Sequence, residues 1–195
     1  MDNKSYQDHF YKKAKALGYR SRSAFKLIEL NKKFNFLKNG INVLDLGSCP
    51  GGWCQVVKKK ISNGKILGID IKKIDTIEGV KFIEGDFLSD NIKSAIKKYF
   101  HSNIDLILSD MAPNTTGNKR LDSIRTNQLC LEILDFSIEK LTKEGVVISK
   151  FFMGEDFNEI KTKSKKNFKK IHFFKPESSR DESREIYIHC AGLST

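Results

Sequence analysis

The chain of 195 residues lacks the features of membrane, secreted and fibrous proteins. No apolar run approaches the ~18 residues that cross a bilayer. Its first ten residues contain neither the apolar block of a secretory signal nor the arginines of an organellar presequence. With only 3 prolines, 13 glycines and 39% hydrophobic residues, the composition is neither collagen-like nor that of a disordered chain. These absences predict an intracellular protein that is not secreted, in the cytoplasm or in an organelle such as the mitochondrion.

The four cysteines argue against a disulfide framework and against a zinc site. They form no C-x-x-C pair and have no closely spaced histidine partners. These cysteines are Cys49, Cys54, Cys130 and Cys190. We expect four reduced thiols and no bound metal.

Positive charge is in excess. Lysine and arginine number 35 against 24 acidic residues, a net charge of +11. Ten basic and three acidic side chains give residues 1–40 a local charge of +7, and seven lysines and two acidic residues give residues 156–175 another +5. Such patches favour a polyphosphate partner such as nucleic acid. A lysine-rich surface that only keeps the protein soluble would have the same composition.

Short apolar runs alternate with helical stretches from residue 42 onward, which indicates a parallel sheet covered by helices on both faces. Two later runs, 168–174 and 185–191, are separated by about ten residues, too few for a parallel crossover, so these strands should pair antiparallel. The parallel strands are expected at residues 42–46, 65–70, 80–84, 104–110 and 145–151.

Two amphipathic helices complete the predicted organisation. One starts at about Ser123, and its apolar positions are Cys130, Leu134, Ile138 and Leu141. The other precedes the first strand and carries Lys26 beside an apolar stripe of Leu27, Leu30, Phe34 and Leu37. We predict a single α/β domain over residues 41–195, with a basic helical arm, residues 1–40, packed on it.

A glycine-rich turn follows the first predicted strand. The segment DLGSCPGGW, residues 45–53, allows backbone N–H groups to approach a ligand closely. Cys49 replaces the central glycine of the dinucleotide pattern G-x-G-x-x-G, and no Gly-Lys-Ser/Thr follows to make a P-loop. A tight strand–helix connection would use the same residues. The glycines expected at the ligand are Gly47, Gly51 and Gly52.

Acidic residues close the next two predicted strands. Asp70 is placed to accept both ribose hydroxyls of an adenosine, and Asp86 to accept its amino group. The missing central glycine favours S-adenosylmethionine, which has no pyrophosphate. Taken singly, each aspartate could instead end a strand or cap a helix, and Trp53 could be a core aromatic.

Four charged residues are expected at the carboxyl edge of the sheet, where open α/β sheets bind ligands. Lys150 ends a doubly covered strand, although lysine is almost never buried without a partner. Asp110 ends the neighbouring strand, Glu185 begins the antiparallel last strand, and Lys26 reaches over from its helix. A second cation nearby favours the neutral form of a desolvated lysine, so we expect Lys150 to remove the proton of a sugar hydroxyl. An ion pair that only closes the sheet is the alternative.

In these residues the chain closely resembles the FtsJ/RrmJ-type ribosomal RNA 2′-O-ribose methyltransferases. The matching segments are residues 18–27, 44–53, 85–87, 109–114, 150–154 and 178–187. The resemblance implies a Rossmann-like α/β fold with a seven-stranded, mostly parallel sheet, an antiparallel last strand, and S-adenosylmethionine as methyl donor. It implies a catalytic tetrad of Lys26, Asp110, Lys150 and Glu185. It also implies cofactor contacts at Gly51, Trp53, Asp70, Asp86 and Asp110.

The resemblance further implies the substrate. Asn114 and the Gly51-Gly52 pair are similar to the bacterial and mitochondrial enzymes of large-subunit rRNA, so we expect a uridine of the peptidyl-transferase region. Ser48 and Cys49 stand where alanines are usual, but both are small. We expect a monomer that docks RNA through Arg20, Arg22, Lys32, Lys33, Arg180 and Arg184.

Other functions remain open on the sequence. Methylation of tRNA or of an mRNA cap would use the same tetrad, and a non-catalytic RNA-binding or ribosome-assembly module would use the same basic arm. An adenine amino-methyltransferase is disfavoured because residues 110–114 lack the aromatic that grips a flipped base. A nicotinamide dehydrogenase is disfavoured by the incomplete glycine pattern.

Overall fold

In the computed structural model, seven strands form one mixed sheet. The structure describes residues 3–114, 116–154, 156–180 and 182–194, with side chains from residue 9 onward, and Asp181 of the last matching segment lies outside these ranges. The strands are β1 (Val43–Leu46), β2 (Ile66–Asp70), β3 (Lys81–Glu84), β4 (Ile104–Ser109), β5 (Leu141–Phe152), β6 (Phe168–Phe174) and β7 (Glu185–Leu193). Their order across the sheet is β3-β2-β1-β4-β5-β7-β6.

The direction of the strands confirms the predicted α/β fold class. Strands β1 to β5 pair parallel with their neighbours, whereas β7 is antiparallel to both β5 and β6. Because β7 runs the other way, its first residue, Glu185, pairs with Phe152 at the end of β5. The start of β7 therefore lies at the edge where the parallel strands end, as the sequence predicts.

Helices pack on both faces of the sheet, and each face has its own apolar core. The helices are α1 (Asn3–Ala16), α2 (Ser23–Phe34), α3 (Gly52–Lys60), α4 (Asp90–Phe100), α5 (Lys119–Lys140) and α6 (Phe157–Asn167). One core joins the sheet to α2 and α3 through residues such as Leu27 and Val57. The other joins it to α4, α5 and α6 through residues such as Ile96, Leu134 and Ile160.

The long helix α5 differs from its prediction at both ends. It begins at Lys119 because the side chain of Asn118 caps it, accepting the N–H groups of the residues two and three positions later. It ends at Lys140, and Leu141 opens β5, where it pairs with Ile104 across a register shift. Leu141 is buried as expected, but as a strand residue, because the first residue of this strand and the last turn of the helix face the same core.

Helix α2 also ends earlier than its apolar spacing predicts. Asn35 adopts a left-handed conformation, with φ of 53°, and stops the helix after Phe34. Leu37 is buried beyond the helix end, where its backbone N–H donates to the side chain of Asn31 at 2.8 Å. The returning chain, not another helical turn, brings Leu37 to the core.

The N-terminal helices are packed on the rest of the chain. Leu27 and Leu30 of α2 are fully buried in the core, and Phe10 of α1 packs against Phe25 with ring centroids 5.3 Å apart. The distinct role of residues 1–40 as an RNA-binding arm stays a prediction. Within the described residues, no helix combines the length and apolarity needed to cross a membrane.

Candidate active site

Four charged side chains meet at the carboxyl edge of the sheet. The Nζ of Lys150, a residue only 8% exposed, donates to the backbone oxygen of Asp110 at 2.5 Å and to its Oδ1 at 2.8 Å. The Nζ of Lys26 lies 2.7 Å from Oε1 of Glu185 and 3.8 Å from Oδ2 of Asp110. The structure thus brings the four predicted residues into one chain of ionic contacts, with Asp110 between the two lysines.

Strand register explains this convergence. Ser109 pairs with Ser149 in the parallel β4–β5 ladder, so the next residues, Asp110 and Lys150, leave the sheet side by side. Glu185 reaches the same edge through the antiparallel pairing of β7. Lys26 comes from the second turn of α2, which packs across these strands.

Asp110 stays ionised in this environment. Burial alone would raise its pKa, but the charges of Lys150 and Lys26, with hydrogen bonds from Lys150 and Tyr187, lower the pKa to about 2. The Tyr187 hydroxyl donates to Oδ1 of Asp110 at 2.6 Å. Asp110 therefore presents a fixed negative charge to Lys150 at any physiological pH.

A cavity of about 730 Å³ opens beside this cluster. Asp110 belongs to both, because it contacts the lysines and also borders the cavity. Ligand pockets for molecules of drug or cofactor size fall in the range of about 300–1,000 Å³. The wall comprises the ends of β1, β2 and β4 and one side of α5, and includes Gly47, Ile69, Asp70, Asp86, Phe87, Met111 and Leu129.

The glycine turn is shaped for close approach at this cavity. Gly47 has φ of +74°, and a Cβ built on it would lie 2.4 Å from Cγ of Met111, so a side chain here would be both strained and blocked. Asp70 ties the turn to the end of β2, because its Oδ2 accepts the N–H of Cys49 and its Oδ1 accepts that of Lys72, both at 2.9 Å. Asp86 accepts the N–H of Leu88 at 3.0 Å. The two aspartates that face the cavity are thereby held by backbone groups.

Comparison with known proteins decides the family. The sequence profile of the FtsJ-like methyltransferases matches residues 19–193. The chain belongs to this family. It is 46% identical to the ribosomal RNA large subunit methyltransferase E of Pelagibacter ubique, over 96% of this chain and 93% of the relative. It is 40% identical to the protein of the same name from Hahella chejuensis, over 98% and 94%.

Solved structures agree with the family. A Plasmodium falciparum protein assigned as a ribosomal RNA methyltransferase has a TM-score of 0.80 and 39% identity, over 90% of this chain and 98% of that one. Human methyltransferase-like protein 13, solved with SAH, has a TM-score of 0.58 and 18% identity, over 80% of this chain and 73% of that one. The second likeness shows the fold alone, the Rossmann-like fold of methyltransferases.

The predicted cofactor residues of this FtsJ-like methyltransferase divide into two groups. Gly47, Asp70, Asp86 and Asp110 border the cavity. Trp53 does not line the cavity but is buried in the core that joins the sheet to α2 and α3, where its indole N–H donates to the backbone oxygen of Ser23 at 2.8 Å. The other two, Gly51 and Gly52, begin α3 under the chain that leads into α2, and are not among the residues that line the cavity.

The residues predicted to dock RNA also differ in their surroundings. Arg20 donates to the backbone oxygens of Pro50, Asp75 and Thr76 at 2.7 to 3.2 Å, which gives it a structural task between the glycine turn and the β2–β3 connection. Burial and the nearby charge of Arg180 lower the pKa of Arg22, which is half-buried. The exposed members of the set are Lys32, Lys33, Arg180 and Arg184.

Two features of the site were not predicted. Tyr187 has no predicted role, yet its hydroxyl reaches Asp110. Its position two residues after Glu185 in a predicted strand, which puts both side chains on the same face of that strand, was a usable signal. The polar side of α5 also lines the cavity through Arg125, Gln128 and Glu132. Their spacing of three and four, on a helix known chiefly for its apolar stripe, indicates a second functional face.

No metal centre was predicted, and the described part of the chain contains no group of three or more histidine, cysteine, aspartate or glutamate side chains that could hold one.

Proposed function

We propose that this FtsJ-like methyltransferase transfers a methyl group from S-adenosylmethionine to a ribose 2′-hydroxyl of large-subunit rRNA, at a uridine. The observation that carries the proposal is the buried amine of Lys150, bound to Asp110 where the charged cluster meets the cavity. The substrate class is supported by the relatives, which are named ribosomal RNA large subunit methyltransferase E.

The residues around the cavity fit the cofactor. Asp70 and Asp86 present carboxylates for the ribose hydroxyls and the adenine amino group, and the strained, side-chain-free Gly47 leaves room at the turn. Phe87 and Ile69 supply apolar wall for the adenine ring. When bound, S-adenosylmethionine supplies an electrophilic methyl group on its sulfonium.

Lys150 acts as the general base in this proposal. Its amine accepts the proton of the ribose 2′-hydroxyl, which makes that oxygen the nucleophile. The ammonium that results lies 2.8 Å from an Asp110 carboxylate that remains ionised, so the charge formed in the step is stabilised by a group already in place. Lys26 and Glu185 neutralise each other and hold Asp110 from its other side.

The basic surface supports a large RNA substrate. Phe34 at the end of α2 stacks on His172 and His189, with centroids 5.5 Å and 4.3 Å apart, and so packs α2 against β6 and β7. The two basic stretches of the sequence therefore meet where the end of α2 packs on β6, at one edge of the sheet. Exposed lysines on this edge are Lys32, Lys33, Lys169 and Lys170.

The test is to map 2′-O-methyl groups on large-subunit rRNA after incubation with the protein and S-adenosylmethionine, using free rRNA and ribosomal subunits as separate substrates. We expect one methylated uridine. Lys150→Ala should abolish transfer but keep cofactor binding. Lys140→Ala should retain activity, since Lys140 pairs with Glu139 at the C-terminal end of α5 and is not among the residues that line the cavity.

Each other outcome identifies a rival. A base-methylated product, or full transfer by Lys150→Ala, would overturn the proposal. Methylation of tRNA or of capped mRNA in preference to rRNA would keep the chemistry and replace the substrate. A non-catalytic assembly module would show RNA binding without transfer by the wild-type protein.

A further inference from the structure

The connection between β6 and β7, residues 175–184, is fastened to α2 by one carboxylate. Oε2 of Glu29 accepts the N–H of Glu177 at 2.6 Å, and Oε1 accepts the N–H of Ser178 at 3.1 Å. The connection begins with a tight turn, in which the N–H of Ser179 donates to the oxygen of Pro176 at 3.1 Å. Two successive backbone N–H groups of this turn thus donate to the two carboxylate oxygens of one side chain, which precedes them in the sequence by 148 and 149 residues.

Helix α2 holds the connection at both ends. Glu29 follows Lys26 by three residues, so the two side chains lie on the same face of the helix. Lys26 binds Glu185 at the far end of the connection, at 2.7 Å, whereas Glu29 binds its first turn. Without Glu29, the end at Glu185 would still be held by its pairing with β5. The first turn follows the paired end of β6, and Lys175 donates to the backbone oxygen of Ser183 at 2.8 Å, so the contribution of Glu29 is to fix this turn to α2.

Arg180 comes directly after this turn and lies near Arg22 at the start of α2. Burial and the charge of Arg180 lower the pKa of Arg22, whereas the charges of Glu185, Glu182 and Asp110 raise it in part. Two guanidinium groups repel each other, and an anion between them turns that repulsion into attraction. A phosphodiester next to the target ribose is such an anion. It could bind the two arginines, because Arg22 precedes Lys26 by four residues and so lies about one helical turn from it.

We propose that Glu29 is a positioning residue for RNA: it fixes the turn at residues 176–179 on α2 and thereby keeps Arg180 beside Arg22, where both bind the phosphodiester backbone next to the target ribose. The proposal rests on the RNA-methylating function above. It assigns Glu29 no contact with RNA, with the cofactor or with the reacting atoms.

Glu29→Gln is the direct test. Glutamine has the same size, but its NH₂ group would face one of the two N–H donors, so at least one charge-assisted hydrogen bond is lost. We expect the KM for large-subunit rRNA to rise about tenfold. The kcat and the affinity for S-adenosylmethionine should stay within twofold, because strand pairing still places Asp110, Lys150 and Glu185, and the packing of α2 on the sheet still places Lys26. Glu139→Gln is the matched control, since Glu139 is exposed and pairs with Lys140 at the C-terminal end of α5, which packs on the opposite face of the sheet from α2.

A double-mutant cycle identifies the route. Arg180→Ala should raise the KM for rRNA, and adding Glu29→Gln to it should change the KM by less than twofold, because both substitutions remove the same interaction with RNA. Fully additive effects, or an unchanged KM in Glu29→Gln, would overturn the proposal. If Glu29→Gln lacks a cooperative thermal transition, Glu29→Asp, which keeps the charge but is too short to reach both donors, takes its place with the same expected direction.

Fluorescence anisotropy with labelled rRNA separates this inference from the proposed function. A wild-type protein that methylates no ribose refutes the function, whatever the variants do. A wild-type protein that binds rRNA no more tightly than Glu29→Gln refutes the positioning role, whether or not methyl transfer is observed.

Discussion

We expect the folded protein to lose stability as the pH rises because of Asp45, which lies in the strand before the glycine turn. Replacing Asp45 by asparagine should remove this loss. Asp45 lies in β1, is 1% exposed, and its Oδ2 accepts a hydrogen bond from the Cys54 thiol at 3.1 Å. Burial raises the pKa of Asp45 to about 7, the bond from Cys54 lowers it in part, and the negative charges of Asp110 and Asp70 add to the rise.

The sign and size of the effect follow from linkage. The folded protein holds this proton more tightly than the unfolded chain, in which an aspartate has a pKa of about 3.9. The stability that Asp45 contributes is therefore complete below about pH 4 and is lost as the pH rises through 7. With these two values and ~1.36 kcal/mol per pH unit, the loss between pH 5 and pH 8 is about 2.6 kcal/mol.

The assay is urea unfolding of the wild type and Asp45→Asn from pH 5 to pH 8. Burial, with the charge of His172, lowers the pKa of His189 to about 4. Because of His189, the folded protein loses stability as the pH falls, which opposes the effect of Asp45 over the same pH range. The contribution of Asp45 is therefore read from the difference in free energy of unfolding between the two proteins. A pH-independent effect of the buried amide cancels when this difference is compared between pH 5 and pH 8. Between pH 5 and pH 8, the free energy of unfolding of Asp45→Asn should rise by about 2.6 kcal/mol relative to that of the wild type. A difference that is constant with pH would refute the reasoning.

Three further predictions concern the site. Tyr187→Phe removes the hydrogen bond to Asp110 and should lower kcat about tenfold, measured by single-turnover transfer. The affinity for S-adenosylmethionine, measured by calorimetry, should not change. A kcat equal to that of the wild type would exclude this hydrogen bond from catalysis. Gly47→Ala, strained at φ of +74°, should destabilise the fold by about 1–2 kcal/mol and abolish measurable cofactor binding in the same titration. Reversing the charges of Lys32 and Lys33 should weaken rRNA binding and flatten its salt dependence by about one unit of slope for each phosphate that the protein no longer neutralises, and an unchanged slope would remove them from the interface.

The sequence predicts the parallel core and the place of the tetrad because both depend on local patterns. An apolar run that ends in a charged residue marks both a buried strand and its carboxyl end, as for Lys150 and Asp110. The direction of β7 follows from the shortness of one connection, and this was enough to place Glu185 at the correct edge.

The remaining contacts depend on side chains that meet across the fold. Leu141 satisfies an apolar helix face and a strand start equally well, so spacing alone assigned it to the wrong element. The bond from Glu29 to a turn 148 residues away has no local pattern. Arg20 is an arginine in a basic segment, as an RNA contact would be, and only the three backbone oxygens to which it donates reveal its structural task.

The position of β7 constrains how the protein is made. It follows β6 in the chain yet lies between β5 and β6, and β6 pairs with no other strand of the described sheet. A nascent chain that has emerged only as far as β6 therefore exposes the open edge of β5 and an unpaired strand. Such a chain also lacks Glu185 of the charged cluster. We therefore expect folding to be completed only when β7 is available, and a chain cut before Glu185 to yield an aggregating product rather than a slow enzyme.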